Sequence, residues 1–548
     1  MNEILQQIHE MIDNLKAVCT NYGLGNTGNE YKIITETFLY KFLNDKFFYE
    51  LKKNVSAFKS KTTPEIEKSL SEMSEREFDS RTLYLPPNTA VIKPTQFISY
   101  LYNRHATDGF HKLFDDTLKG ISEANKDIFS VKAGAGTSVK LFEPLSNYVV
   151  QPEHRDRFCA AIITKLVDVD FQELFDQKYD FFAEIFEYLI KDYNKDFGKY
   201  AEYYTPNSIA RIIAKILVPE KVRNVRIYDP AAGSGTLILA LAHEIGENNC
   251  TLYAQDISQK SNELLRLNLI LNNLVHSLPN VVQDDTLLNP RHLNHGQNAI
   301  ATFDYVVSNP PFNMDFSETR DALADDSYRA RFFVGVPNIP NKKKDGMAIY
   351  QLFLQHIIKS MNEHGKAAVV VPTGFLTAST GIPLRIRQHI VNEKMLRGVV
   401  SMPSNIFANT GTNVSVVFLD ANGSSDDKVL FVDASNLGTK QKIEGTKNKR
   451  TYLSDDEISC IIETFNTRSE VEDFSVLVSL DEIAQKNFSF SAGQYFKVKI
   501  EHVDLSPEEF QQKMQGFQSD LQKFFDEGHE LEQKILNGLE SLTYGQID

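Results

Sequence analysis

The sequence predicts an α/β protein built on a mostly parallel sheet, preceded by a helical region and followed by a helical tail. Three observations carry that expectation. From roughly residue 170 to residue 435, apolar β-branched runs alternate with helical or loop segments, the pattern of a layered α/β fold. Residues 1–165 repeat their apolar positions with a helical period, and the last stretch does so again behind a helix-start signature. The divisions expected are a helical domain over 1–165, an α/β domain over 166–480 and a helical tail over 481–548.

In the amino-terminal region Ile4, Ile8, Met11, Leu15 and Val18 share one helix face, and "ITETFLYKFLNDKFFYEL" makes a second amphipathic segment. "KAGAGTSVK", Lys132 to Lys140, is glycine-rich but has no Gly-Lys-Ser/Thr, so it reads as a turn and not as a phosphate-binding loop. The runs "VRIYD", "TLYAQD", "FDYVVSN", "KAAVVVP", "LRGVVSM" and "NVSVVFLD" predict strands. Ligands of such sheets lie outside the carboxyl ends of the strands, which singles out Asp229, Asp256 and Asn309. At the far end, Ser506 suits an N-cap, Pro507 the first turn and Glu509 a capping box. Phe510, Met514, Phe517, Leu521, Phe524, Leu531, Ile535 and Leu542 then follow a 4,3 repeat, with Gly528 and Gly538 in two of its positions. Such a seam must bury itself, on its own chain or on a partner subunit.

Composition narrows the classes. With 548 residues, 42% of them hydrophobic, the chain is long enough for two or three domains with sizeable cores. No apolar run approaches the length that spans a bilayer, and the start "MNEILQQIHEMIDNLKAV" carries Glu3, Glu10 and Asp13 in place of a signal-peptide core. Cys19, Cys159, Cys250 and Cys460 are scattered without metal-ligand or disulfide spacing, so reduced thiols in a cytoplasm and no metal are expected. The net charge of -15 disfavours tight, independent binding of nucleic acid, which needs a basic face. One short basic loop, "PNIPNKKKDG", is the exception, and no module for reading base edges is visible.

Two stretches carry chemistry. "YDPAAGSGTLILALA" leaves a strand and opens a helix; Gly233 and Gly235 permit a tight turn, and the helix start supplies free N–H groups. The third glycine of a dinucleotide fingerprint is missing, as is the lysine of a phosphate loop. Asp256 ends the next run, where a carboxylate accepts from both hydroxyls of a ribose. Asp285, in "VVQDDTLLNP", ends a third candidate strand and is placed for an adenine amino group. Adenosine without pyrophosphate points to S-adenosylmethionine.

The second stretch is "FDYVVSNPPFNM". A side-chain amide oxygen from Asn309 and a backbone carbonyl from Pro310 would both accept from an amino group whose lone pair is delocalised into a ring, and draw it toward tetrahedral geometry. Pro310 and Pro311 stiffen the turn and remove competing N–H donors. Phe312 offers a face on which an extruded base can stack. A cytosine-C5 enzyme would need a cysteine nucleophile, and no Pro-Cys strand end is present.

In these motifs and their order, the chain resembles the amino-methyltransferases in their gamma arrangement. More closely, it resembles the modification subunit of type I restriction–modification systems. The stretches that carry the likeness are "EYYTP", "DPAAGSGTLIL", "QDDTLLNP", "VVSNPPF", "DGMAIYQLFLQHII", "MPSNIFANTGTNVSVVFL" and "FSFSAGQYF". The resemblance implies a Rossmann-like, S-adenosylmethionine-dependent methyltransferase acting on adenine N6 in DNA. It implies that Glu202, Tyr203, Tyr204, Thr205, Pro206 and Asn207 contact the methionine end of the cofactor, and that Asp229, Gly233, Ser234, Gly235 and Thr236 line the same pocket. Asp256 and Asp285 would hold the nucleoside, and Asn309 to Phe312 the target base. The partners implied are DNA, a specificity subunit, a second modification subunit and a restriction subunit. Two alternatives stand beside this one: a protein glutamine methyltransferase, which also clamps an amide with Asn-Pro-Pro, and a non-catalytic cofactor-binding scaffold.

Overall fold

The structure is a computed structural model that describes residues 2–25, 27–129, 131–132, 138–139, 141–176, 185, 188, 205–294, 299–407, 413–423, 426–442, 449–496 and 506–540. The chain forms two units, 1–496 and 497–548.

The first unit begins with helix α1, Asn2–Asn21, which buries Ile8, Met11, Leu15 and Val18 as its period predicts. Helix α2, Gly28–Asn54, differs from the amphipathic expectation: it is buried on nearly every side. Its polar residues serve loops instead of water. Glu36 accepts from the Glu143 N–H at 2.8 Å, Asn44 from the Ile98 N–H at 3.2 Å, and Asp45 from the Phe171 N–H at 2.9 Å while pairing with Lys41 at 2.9 Å. Buried polar groups persist when they are bonded in this way. Val131–Lys132 and Ser138–Val139 pair antiparallel; residues 133–137, where the sequence predicts a turn, lie outside the described residues.

Among the described residues, nine strands form one sheet: β1 Val225–Asp229, β2 Cys250–Asp256, β3 Val281–Gln283, β4 Phe303–Ser308, β5 Met361–Pro372, β6 Leu396–Ser401, β7 Val414–Asp420, β8 Lys428–Asp433 and β9 Ser475–Ser479. Their order is β9-β8-β6-β7-β5-β4-β1-β2-β3. β7 runs antiparallel to β5 and β6, and β9 antiparallel to β8; the other neighbours are parallel. All seven residues of β7 are buried, which explains why its sequence is apolar apart from Ser415 and the terminal Asp420. Helices α3 (Asn207–Leu217), α4 (Thr236–Ile245), α5 (Gln259–Leu271) and α6 (Gly381–Asn392) belong to this α/β layer, and α5 also touches α2. The chain moves outward through β1, β2 and β3, then returns to place β4 on the other side of β1. That reversal opens a crevice between the carboxyl ends of β1 and β4.

Residues 481–496, expected in the tail, belong to the first unit. Ile483, Phe490, Ala492 and Tyr495 are buried in the core shared with β8, where the Phe431 and Tyr495 rings stack 5.2 Å apart. The fully buried Arg387 of α6 donates to the carbonyls of Phe375, Ala378 and Phe488. Isolated aromatic residues separated by polar ones do not advertise such packing in sequence.

The second unit is described as one helix, α7 Pro507–Glu540. Ser506 and Glu509 cap it reciprocally, at 2.9 and 3.2 Å. A lone helix cannot bury its own seam, and within this unit Phe510, Met514, Phe517, Leu521, Phe524, Leu531 and Ile535 are exposed.

Candidate functional site

The site begins where β1 stops. Asp229 is buried, and its Oδ1 accepts from the Ala231 N–H at 2.9 Å and the Ser308 hydroxyl at 2.9 Å. Ser308 is the last residue of β4, so one carboxylate ties together the two strand ends that flank the crevice. No cation pairs with Asp229 among the described residues, and burial pushes its carboxyl up to about 7.

The turn after β1 depends on two glycines. Gly233 has φ 53° and Gly235 φ 84°, a region L side chains avoid. A Cβ at Gly235 would also stand 2.2 Å from Leu265 Cδ1 of α5. That close approach lets the buried Asn268 of α5 donate to the Ser234 carbonyl at 3.1 Å. Helix α4 then starts at Thr236.

Asp256 ends β2. Its Oδ2 accepts from the Gly233 N–H at 2.9 Å and its Oδ1 from the Ser258 N–H at 2.8 Å. Each oxygen retains acceptor capacity, and burial raises this carboxyl too. Asp285 lies two residues beyond β3, where its Oδ1 accepts from the N–H groups of Leu287 and Leu288 at 2.8 and 3.1 Å.

Asn309 follows β4 directly. Its amide Nδ2 donates to the Thr205 hydroxyl at 3.2 Å in a buried contact. That bond engages one of the two N–H groups of the amide, whose acceptor is Oδ1. Pro310 is buried, Pro311 and Phe312 are half-buried, and Phe312 meets Tyr350 edge to face at 6.4 Å. Thr205 precedes Pro206, the N-cap of α3, which starts at Asn207.

One cavity at the crevice gathers Thr205, Asp229, Ser234, Thr236 and Asn309. Asp256 and Asp285 do not line it; they stand at the neighbouring strand ends. Glu202, Tyr203 and Tyr204 lie outside the described residues. Sequence reasoning missed Ser308 and Asn268. Ser308 was reachable, since it stands directly before Asn309 in a buried strand. Asn268 reads as an ordinary helix residue, and only the approach of α5 to the turn gives it a role.

The sequence model of the family described as N-6 DNA Methylase matches residues 177–504. This chain belongs to that family. The methylase is 26% identical over 526 residues to the type I restriction enzyme MpnII methylase subunit of Mycoplasma pneumoniae, covering 92% of this chain and 91% of that one. It is 28% identical over 377 residues to the HindI methylase subunit of Haemophilus influenzae, covering 67% and 79%. A crystal structure of the type I methyltransferase subunit from Streptococcus thermophilus superposes with a TM-score of 0.71 at 20% identity, over 90% of this chain and all of that one. The methyltransferase fold that the sequence resemblance implied is therefore present, with its helical amino-terminal region and carboxyl-terminal helix. Among the described residues no helix is long and apolar enough to cross a membrane.

Proposed function

We infer that this methylase is the modification subunit of a type I restriction–modification complex and transfers a methyl group from S-adenosylmethionine to adenine N6 in DNA. The observation that carries the reading is the buried bond from Asn309 Nδ2 to Thr205. It orients the amide so that Oδ1 serves as acceptor for the target amino group, beside a cavity lined by a buried carboxylate that has no paired cation among the described residues.

The cofactor fits that cavity by charge. S-adenosylmethionine supplies an electrophilic methyl on a positive sulfonium, next to a positive ammonium. Asp229 is the counter-charge: a cation beside it offsets the burial that holds its carboxyl up to about 7. Thr205, Ser234 and Thr236 would receive the methionine end, and the family resemblance assigns Glu202, Tyr203, Tyr204, Pro206 and Asn207 to the same task. Gly233 and Gly235 shape the wall, Asp256 would accept from the ribose hydroxyls, and Asp285 would accept from the cofactor's adenine amino group.

On the target side, Asn309 Oδ1 and the Pro310 carbonyl would accept from the amino group, while Pro311 stiffens the turn and Phe312 stacks on the base. These groups position and polarise; none forms a covalent bond to the substrate. The two alternative readings have no specific support here, because the relatives matched along most of the chain are DNA-methylase subunits.

The division into an amino-terminal helical domain, a catalytic domain and a docking tail belongs to this proposal. So do a specificity subunit, a second modification subunit and a restriction subunit as partners, and work in the cytoplasm. The net charge of -15 supports reliance on a partner for DNA contact. The test is methyl transfer to duplex DNA by the chain with and without the specificity subunit, using wild type and Asn309→Ala. Adenine methylation by the wild-type complex alone, with cofactor binding retained in the variant, is expected. Near-normal turnover by Asn309→Ala would refute the clamp.

A further inference from the structure

The segment that follows the base clamp returns to grip the loop carrying Asp285. Arg331, 6% exposed, donates through Nη1 to the Thr286 carbonyl at 3.1 Å and through Nη2 to the Leu287 carbonyl. Tyr328 donates its hydroxyl to the Leu288 carbonyl at 2.9 Å. The guanidinium lies 5.0 Å from the Tyr328 ring centroid and 4.5 Å from that of Phe332, contacts that hold its plane. Phe332 and Leu287 belong to one apolar cluster.

The carbonyls matter because of the peptide units they belong to. The Thr286 carbonyl and the Leu287 N–H share one planar unit, and the Leu287 carbonyl and the Leu288 N–H share the next. Those two N–H groups are the donors to Asp285 Oδ1. Each unit is thus held at both ends, by Arg331 on its oxygen and by Asp285 on its nitrogen. Fixing the oxygens fixes the direction of the N–H groups, and hence the orientation of the carboxylate. Both bonds fall on Oδ1, so Oδ2 remains for a ligand.

We propose that Arg331, assisted by Tyr328, is a positioning residue that aims the Asp285 carboxylate at the 6-amino group of the cofactor's adenine, and so sets selectivity for that base. The proposal rests on the assignment of Asp285 to adenine made above. A carboxylate aimed there accepts from an amino group and repels the 6-oxo group of an inosine analogue.

The experiment is calorimetry on the full chain with S-adenosylhomocysteine and S-inosylhomocysteine. Wild type favours the adenosyl ligand by about ten- to a hundred-fold, the range for one charged hydrogen bond. Asp285→Ala brings the ratio close to one. Arg331→Met compresses the ratio in the same way, by weakening the adenosyl ligand more than the inosyl one, and Tyr328→Phe gives an intermediate ratio. A merely structural role would weaken both ligands equally, so a wild-type ratio in Arg331→Met overturns the proposal. If that variant does not fold, a wild-type ratio in Tyr328→Phe overturns it instead. A ratio near one in wild type, or an unchanged ratio in Asp285→Ala, removes the assignment of Asp285 and the proposal with it.

Discussion

Replacing Thr205 by valine keeps the side chain's shape and deletes the acceptor for Asn309 Nδ2, 3.2 Å away in a buried contact. An unsatisfied buried donor costs about 1–3 kcal/mol, and the amide relieves part of that cost by rotating. In the rotated state the NH2 faces the target, and a donor opposes the substrate's own amino group. Losing the acceptor orientation at a cost of about 1–3 kcal/mol corresponds to a fall in the transfer rate of roughly 5- to 150-fold. Thr205 also lines the cofactor cavity, so the rate must be read at saturating S-adenosylmethionine. The assay is single-turnover methylation of duplex DNA by the assembled complex. Thr205→Ser retains the hydroxyl and should recover most of the rate. Full activity in Thr205→Val, or a serine variant as slow as the valine one, would refute the orientation argument.

Asp229 predicts a pH dependence. Its carboxyl is raised from 3.8 to about 7 by burial, so the stability it contributes to the ligand-free chain is fully present below the ordinary carboxylate value and is lost as pH rises through about 7. Melting temperature should fall across that window and flatten in Asp229→Asn. A cation beside Asp229 favours its ionised form, so affinity for S-adenosylmethionine should rise with pH through the same range; calorimetry showing equal affinity on both sides would count against it. Asp256→Ala should weaken the cofactor by about ten- to a hundred-fold, the range for one charged hydrogen bond, and release the Gly233 turn; unchanged affinity would refute the ribose assignment. A chain cut before Ser506 should keep its cofactor affinity and lose co-purification with the specificity subunit. Full-strength co-purification would show that the seam packs on its own chain.

The strand ends are legible because the central strands of the sheet are largely buried, which makes them read as mostly apolar runs with a polar residue at or just past the end. Asp229, Asp256 and Asn309 stand out for that reason. Helix α2 reads as amphipathic because residues such as Glu36, Asn44 and Asp45 ordinarily face solvent, whereas here all three are buried. Each is bonded to a loop distant in sequence, and no local pattern records a partner far along the chain. Residues 481–496 read as tail for a related reason: Phe490 and Tyr495 reach the core as single side chains from irregular segments.

By itself, the sequence determined the residue types that the chemistry needs, the order in which they occur and the strands that end at them, because periodicity, glycine turns and proline hooks are local properties of the chain. Tertiary structure alone decided which of them share a site. The reversal between β1 and β4 brings Asp229 and Asn309 to one crevice, with Ser308 bridging the strands. The start of α3 delivers Thr205 to the amide of Asn309, and the segment after the clamp delivers Arg331 to the carbonyls behind Asp285. Hydrogen bonds between residues so far apart follow from strand order and helix packing, which a linear pattern does not encode.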